Sequence, residues 1–205
     1  MTTVDAQLCA AWITGAAALV AEHERELTEL DTAVGDGDHG LNLRRGFAAA
    51  ATAVADAATP AAVLKAAGAA LINSTGGASG PLYGTFLRRA GKALGDAETV
   101  GSGEFAAALA AGLDGVRVLG GAAEGDKTMI DALGPAVAVL GGGGDLATAA
   151  PAAYEAAVAG RDATASMVAR KGRASYLGER SAGHVDPGAA TTVLLFAALA
   201  RAVGP

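Results

Sequence analysis

Asp31-Thr-Ala-Val-Gly35-Asp36-Gly37-Asp38-His39-Gly40 decides how this chain is divided. Three carboxylates fall within eight residues, the last two separated by a glycine. Spacings of five and two residues point different ways on a helix, so the three cannot share one helical face. The glycines free the backbone to wrap, and the stretch reads as a loop between two helices. Hard oxygen donors on a wrapped loop suit Mg²⁺ or Ca²⁺ better than zinc. A capping turn accounts for one Asp-Gly pair but not for three aspartates in this pattern. Asp31, Asp36 and Asp38 are therefore read as metal ligands, with a phosphate as the partner of the site.

Outward from this loop, helical segments alternate with glycine-rich breaks. Residues 5–30 carry Leu8, Trp12, Ile13, Leu19, Val20 and Leu27 as an amphipathic first helix, and the run Glu22-His-Glu-Arg-Glu26 reads as its solvated face, with no role for His23. A second helix is expected over about 40–56, with Leu41, Phe47 and Val54 inward. Thr59-Pro60 supplies a cap and a first-turn proline for a third, about 60–73. After Ser74–Pro81, with Ser79 or Gly80 as cap and Pro81 at the first helical position, a fourth runs to about 94. Gly101-Ser-Gly103 opens a fifth, in the register Phe105, Leu109, Leu113, Val116. A sixth begins near Asp126, Gly141 to Gly144 make a turn, and a seventh spans about 145–169. A polar stretch, Arg170 to Asp186, precedes an eighth that starts at Pro187. Eight helices and no convincing strand predict an all-α fold in a single domain over 1–205.

Composition agrees. The chain is 52% hydrophobic, much of it alanine, and only 4% aromatic, which favours close-packed helices over sheets. A net charge of −6 argues against a nucleic-acid surface. One cysteine, Cys9, excludes an intramolecular disulfide and is expected in the core. The N-terminus carries no basic stretch or signal core, and charges or glycines break every apolar run before about 18 residues, so no membrane span is expected and a cytoplasmic location is the default. Asn73-Ser-Thr75 matches a glycosylation sequon by chance.

Four polar breaks, 31–42, 74–81, 120–131 and 171–188, follow the first, third, fifth and seventh predicted helices. In an up-and-down bundle these all lie at one end, which gathers them into one site. Segment 74–81 has the glycines and helix start of a phosphate cradle. Arg173 and Arg180 suit bidentate phosphate contact, and Asp186-Pro187-Gly188 caps the last helix. His39 and His184 read as positioning groups rather than bases. Gly125-Asp-Lys127-Thr128 is no P-loop, since Asp126 separates glycine from lysine and no strand precedes it, and Lys127 is expected to pair with Asp131 along a helix. Gly101-Ser-Gly103-Glu-Phe-Ala106 likewise lacks the strand that a dinucleotide fingerprint requires. Three carboxylates beside a nucleotide diphosphate gather about −6 of charge, which calls for two Mg²⁺.

Taken together, Gly35-Asp-Gly-Asp-His-Gly40, Thr75-Gly-Gly-Ala-Ser-Gly-Pro-Leu-Tyr-Gly84, Gly125-Asp-Lys-Thr-Met129 with Asp131, and Gly172 to Gly188 resemble the DhaL-type, or Dak2 (DAK-L), domain of dihydroxyacetone kinases over essentially the whole chain. The resemblance implies a closed barrel of eight antiparallel up-and-down helices with ADP or ATP held at one end through two Mg²⁺. It implies metal ligation by Asp31, Asp36 and Asp38, and nucleotide contacts from His39, Gly40, Leu41 and Asn42. Ser79 and Gly80 would cradle phosphate, Gly120, Met129 and Arg173 would surround base and ribose, and Asp186, Pro187 and Gly188 would close the site. Ser79, Gly80 and Arg173 would position the phosphoryl group, with no catalytic base implied. The implied partners are a DhaK-type subunit holding dihydroxyacetone and a DhaM-type phosphohistidine protein that recharges ADP from phosphoenolpyruvate. The oligomeric state stays open, a homodimer included. Three rivals stay beside this reading: an ATP-exchanging kinase subunit for dihydroxyacetone or another short ketose, a nucleotide-loaded regulatory module of a transcription activator, and a non-catalytic bundle.

Overall fold

The helix expected over 5–30 is two helices, because the chain bends at His23. In the computed structural model, which describes residues 2–204, α1 is Ala6–Glu22 and α2 is Glu24–Val34. His23 leaves helical geometry at φ −98° and ψ 12°, and its ring bonds Glu26 at 2.9 Å. Beyond the bend, α2 packs on both the next helix and the last one, as α1 does. The other helices are α3 His39–Ala53, α4 Pro60–Ser74, α5 Ser79–Leu94, α6 Ser102–Gly120, α7 Ile130–Gly141, α8 Leu146–Ala163 and α9 Pro187–Val203. The described residues thus hold nine α-helices rather than eight. A 3-10 turn, Thr164–Ser166, shortens the expected seventh helix, and a 3-10 run, Arg173–Ser181, lies within the polar stretch.

Local chemistry explains several of these limits. Thr59 caps α4 by accepting from the Ala62 N–H at 3.1 Å, and Pro60 follows as its first residue. Asp186 caps α9 in the same way, accepting from the Ala189 N–H at 2.7 Å. The expected start of α5 is corrected: its N-cap is Ala78, without a side-chain bond, so Ser79 is its first residue and Pro81 its third. The expectation of no strand is also corrected. β1 (Thr3–Asp5) and β2 (Thr99–Gly101) form an antiparallel pair with Val4 opposite Val100, too short for any alternating pattern to register.

In the core, α1 packs on α3, and from α3 to α9 each helix packs on the next. Helix α9 then returns to α1, so the order of neighbours is cyclic. The Trp12 indole closes that last seam by donating to the Leu195 carbonyl at 2.8 Å, and it meets Phe105 edge-on at 5.8 Å. Phe47, Phe86 and Phe196 fill the same interior. Cys9 is buried as expected, and desolvation pushes its thiol up to about 12. Leu41 is not inward: it is 56% exposed. At one end of the ring, Asp145 accepts bonds from the Thr2 N–H and the Ser102 hydroxyl, tying β1 and the starts of α6 and α8 together. Among the described residues no helix is long and apolar enough to cross a membrane.

Candidate active site

The four polar breaks meet. Residues from the α2–α3 loop, the α4–α5 loop, the α6–α7 loop and the α8–α9 segment line one cavity of about 480 Å³. One side of it is acidic. Asp31 does not stand in the loop; it occupies the last turn of α2 and is 8% exposed. Its Oδ2 accepts from the Asp38 N–H at 3.0 Å and the His39 N–H at 3.1 Å, and these two bonds fold the turn 35–38 back onto the helix. Each of Asp31, Asp36 and Asp38 thereby offers a carboxylate oxygen within 4.8 Å of the other two. Such crowding of like charge is unfavourable without a cation. Arg173 answers part of it, with Nη1 at 2.9 Å from the Asp36 Oδ2. An all-carboxylate donor set of hard oxygens that leaves room for waters and phosphate fits Mg²⁺.

His39 sits behind the acidic turn, where both ring nitrogens are occupied. Nε2 lies 2.9 Å from the Thr191 hydroxyl and Nδ1 lies 3.2 Å from that of Ser79. Desolvation lowers its pKa, against the pull of Asp31, so a neutral ring links α3, α5 and α9. Much of the remaining lining is apolar, from Leu82, Val116, Leu119, Met129, Ile130 and Pro187. Gly76, Gly77, Ala78 and Ser79 of the α4–α5 loop line it as well, and so does Asp186. Desolvation raises its carboxyl to about 7, while the Ala189 N–H and Lys127 pull the other way.

Of the residues singled out in the sequence, Asp31, Asp36, Asp38, His39, Asn42, Ser79, Gly120, Met129, Arg173, Asp186, Pro187 and Gly188 line the cavity. Gly40, Leu41 and Gly80 do not. The two glycines serve close helix contacts instead: a Cβ on Gly40 would stand 2.1 Å from the Glu24 carbonyl oxygen, and one on Gly80 2.8 Å from that of Leu71. Arg180 lies exposed on the 3-10 run, away from the cavity.

Lys127 does not pair with Asp131. The segment 126–129 is a turn, not the start of a helix, and Lys127 takes a φ of 61° that aims it inward. It lines the cavity at 1% exposure and donates to the carbonyls of Thr164 and His184. Asp131 instead accepts from the Gly125 and Thr128 N–H groups. Lys171, Thr128 and, among the apolar residues, Leu82, Val116, Leu119 and Ile130 are lining residues that the sequence does not point to. In sequence the apolar ones have only the spacing of an ordinary helix core, and nothing in composition marks a lysine as buried.

The profile of the DAK2 domain matches residues 33–201. The chain belongs to the DAK2 family. Two DAK2 relatives cover it almost fully. The ADP-binding subunit DhaL of PEP-dependent dihydroxyacetone kinase 1 of Listeria innocua is 40% identical over 199 residues, 96% of each chain. The DhaL subunit of the PEP-dependent kinase of Escherichia coli is 41% identical, over 93% of this chain and 94% of that one. A third, the L-erythrulose 1-kinase of Mycolicibacterium smegmatis, is 44% identical over 90% of this chain but only 33% of its own length. Among solved structures, the dihydroxyacetone kinase of C. freundii in complex with AMP-PNP and Mg²⁺ superposes with a TM-score of 0.71 at 32% identity, over 95% of this chain. This chain spans 33% of that kinase, so the likeness is to one part of it.

Proposed function

We propose that the chain is the nucleotide-carrying subunit of a dihydroxyacetone kinase, a phosphotransferase that passes a phosphoryl group from an adenine nucleotide to a ketose held on a partner subunit. The observation that carries this reading is the mixed cavity: three converging carboxylates and an extensive apolar lining share one space of about 480 Å³. A nucleoside polyphosphate has the matching halves, an anionic tail that needs cations and a flat base that prefers an apolar slot. The names of the DhaL relatives support the ligand as ADP, and that of the C. freundii complex supports magnesium.

In this reading Asp31, Asp36 and Asp38 hold two Mg²⁺, which offset about four of the roughly six negative charges on three carboxylates and a diphosphate. The ions supply charge neutralisation along the phosphates. Ser79 and the neighbouring backbone orient the terminal phosphoryl group, and neutral His39 fixes the Ser79 hydroxyl. Arg173 exchanges its contact with Asp36 for phosphate. Met129, Gly120 and the apolar lining receive base and ribose, while Asp186, Pro187 and Gly188 close the site and exclude water. No side chain is assigned as a base, because phosphoryl transfer of this kind rests on positioning and electrostatics. A DhaK-type subunit supplies the ketose, and a DhaM-type phosphocarrier recharges ADP.

The test is direct. Freshly purified protein is denatured and the released nucleotide identified, and the native protein is then mixed with a DhaK-type partner loaded with dihydroxyacetone. Stoichiometric ADP, with phosphotransfer only when a phosphohistidine donor is added, supports the proposal. A second reading, an ATP-exchanging kinase module for a related short ketose, is favoured by the likeness to the L-erythrulose 1-kinase. Nucleotide that exchanges freely with added ATP and drives turnover without a phosphocarrier selects it.

A further inference from the structure

The segment between the 3-10 turn and α9, residues 167–185, forms a strap across the cavity. It contributes Lys171, Gly172, Arg173 and Ala174 to the lining. Its two roots lie together: the Gly183 N–H donates to the Ala165 carbonyl at 2.7 Å, and the Asp186 N–H to the Thr164 hydroxyl at 2.9 Å. Between the roots the strap has little of its own core, only Ala169, Ala174 and Leu177 grouped around Val34 of α2. A long loop with so few apolar contacts opens readily unless its base is fixed.

Lys127 lies at that base. Its ammonium donates to the Thr164 carbonyl before the strap and to the His184 carbonyl at its end, so one side chain bridges both roots. It is the one non-glycine residue among those described with a positive φ, and the turn around it is held from several sides. Asp131 accepts from the N–H groups of Gly125 and Thr128, Asp126 accepts from the Ala123 N–H, and the Asp126 carbonyl accepts from the Arg170 N–H of the strap at 3.0 Å. A strained backbone that is held so firmly, and that serves to send one lysine inward, marks that lysine as having a task. Two of its three N–H donors are taken by backbone carbonyls, which sets it apart from a phosphate-gripping lysine whose donors face the ligand. Burial lowers its pKa, and nearby Asp186 and Asp131 offset that only in part.

We propose that Lys127 is a positioning residue that clamps both roots of the strap to the α6–α7 turn and so holds Lys171 and Arg173 over the cavity. Its effect on nucleotide rests on the reading under Proposed function; its effect on the strap does not.

The test uses the full chain with Lys127→Met, which keeps the volume and leaves the two carbonyls without their donor. Limited trypsin digestion of nucleotide-free protein reads the strap through cleavage at Arg170, Lys171, Arg173 and Arg180. Loss of two charged hydrogen bonds predicts about 10-fold or faster cleavage there, with cleavage at Arg88 and Arg89 unchanged, and ADP with Mg²⁺ bound about 10-fold more weakly. Acceleration at every site alike means a merely structural role and overturns the proposal. So does weaker ADP binding with an unchanged strap, which makes Lys127 a direct ligand, and so does a loosened strap with unchanged ADP affinity. If the variant does not fold, amine-reactive labelling of the unmutated protein decides. Lys127 protected both with and without ADP, while Lys171 reacts in the free protein, supports the clamp; Lys127 exposed by removal of nucleotide overturns it. Failure of the unmutated protein to bind ADP counts against the proposed function, while the digestion still reads the clamp.

Discussion

Asp31 and Asp36 belong to one acidic turn but hold it differently. Asp36 is exposed and pairs with exposed Arg173, an arrangement worth about 0.2–1 kcal/mol of stability at most. Asp36→Asn, and Asp38→Asn with it, is therefore expected to abolish retention of nucleotide while the melting temperature stays within a few degrees of the parent. Asp31 is buried and accepts two backbone N–H groups, so Asp31→Asn, which swaps one acceptor oxygen for a donor, is expected to lower both. Quantifying nucleotide released on denaturation beside a thermal melt separates the two behaviours. Asp186 sets a pH dependence. The folded, nucleotide-free chain keeps its proton up to about pH 7, whereas the unfolded chain loses it near the ordinary value of 3.8. Between those values the folded state binds more protons, so this contribution to stability is complete below the window and falls away as pH rises through it. Asp186→Asn, which keeps a capping oxygen, should flatten that slope, recovering on the order of 2–4 kcal/mol at neutral pH in denaturant titrations. The residues legible from sequence were those whose chemistry is contiguous. Asp31, Asp36 and Asp38 stand together in the sequence and converge in the fold, whereas Lys127 looks like any surface lysine until its backbone turns it inward. Gly40 and Gly80 show the converse, since a glycine needed for helix contact and one needed for ligand approach look alike in a sequence.

Elements with chemical punctuation were read within a residue or two. Thr59-Pro60 placed α4, and Asp186-Pro187 placed α9. Thr59→Ala should cost about 1 kcal/mol and lower the melting temperature by roughly 2–4 °C, with ADP affinity unchanged because the cap lies outside the cavity lining. Calorimetry with a parallel binding titration checks both halves. Elements without punctuation were missed. No glycine or proline marks His23, and Leu19, Val20 and Leu27 keep helical spacing across it, so α1 and α2 read as one rod. Three-residue strands carry no periodicity to read, and β1 and β2 exist only because tertiary contact brings them together. The expected Ser79 cap failed for a related reason: the α4–α5 loop enters the helix one residue earlier, at Ala78, whose side chain can cap nothing.

Across the molecule, the cyclic order of helices makes the α1–α9 seam the contact that joins the two most distant parts of the chain. Trp12 is buried in it and bonded across it. Trp12→Ala should cost about 3–5 kcal/mol and lower the melting temperature by roughly 10 °C, a much larger loss than the Thr59 cap produces in the same calorimeter. The parity of the helices was legible and correctly sent the polar loops to one end, even though the helix count was short by one, because α1 and α2 run on without a reversal between them. The other end has a practical use. Gly143 and Gly144 stand in open space next to Asp145, and none of the three touches the cavity. That hairpin tip is a natural handle: an epitope spliced there would let the molecule be tethered to a sensor chip by its back, with its mouth facing the solution.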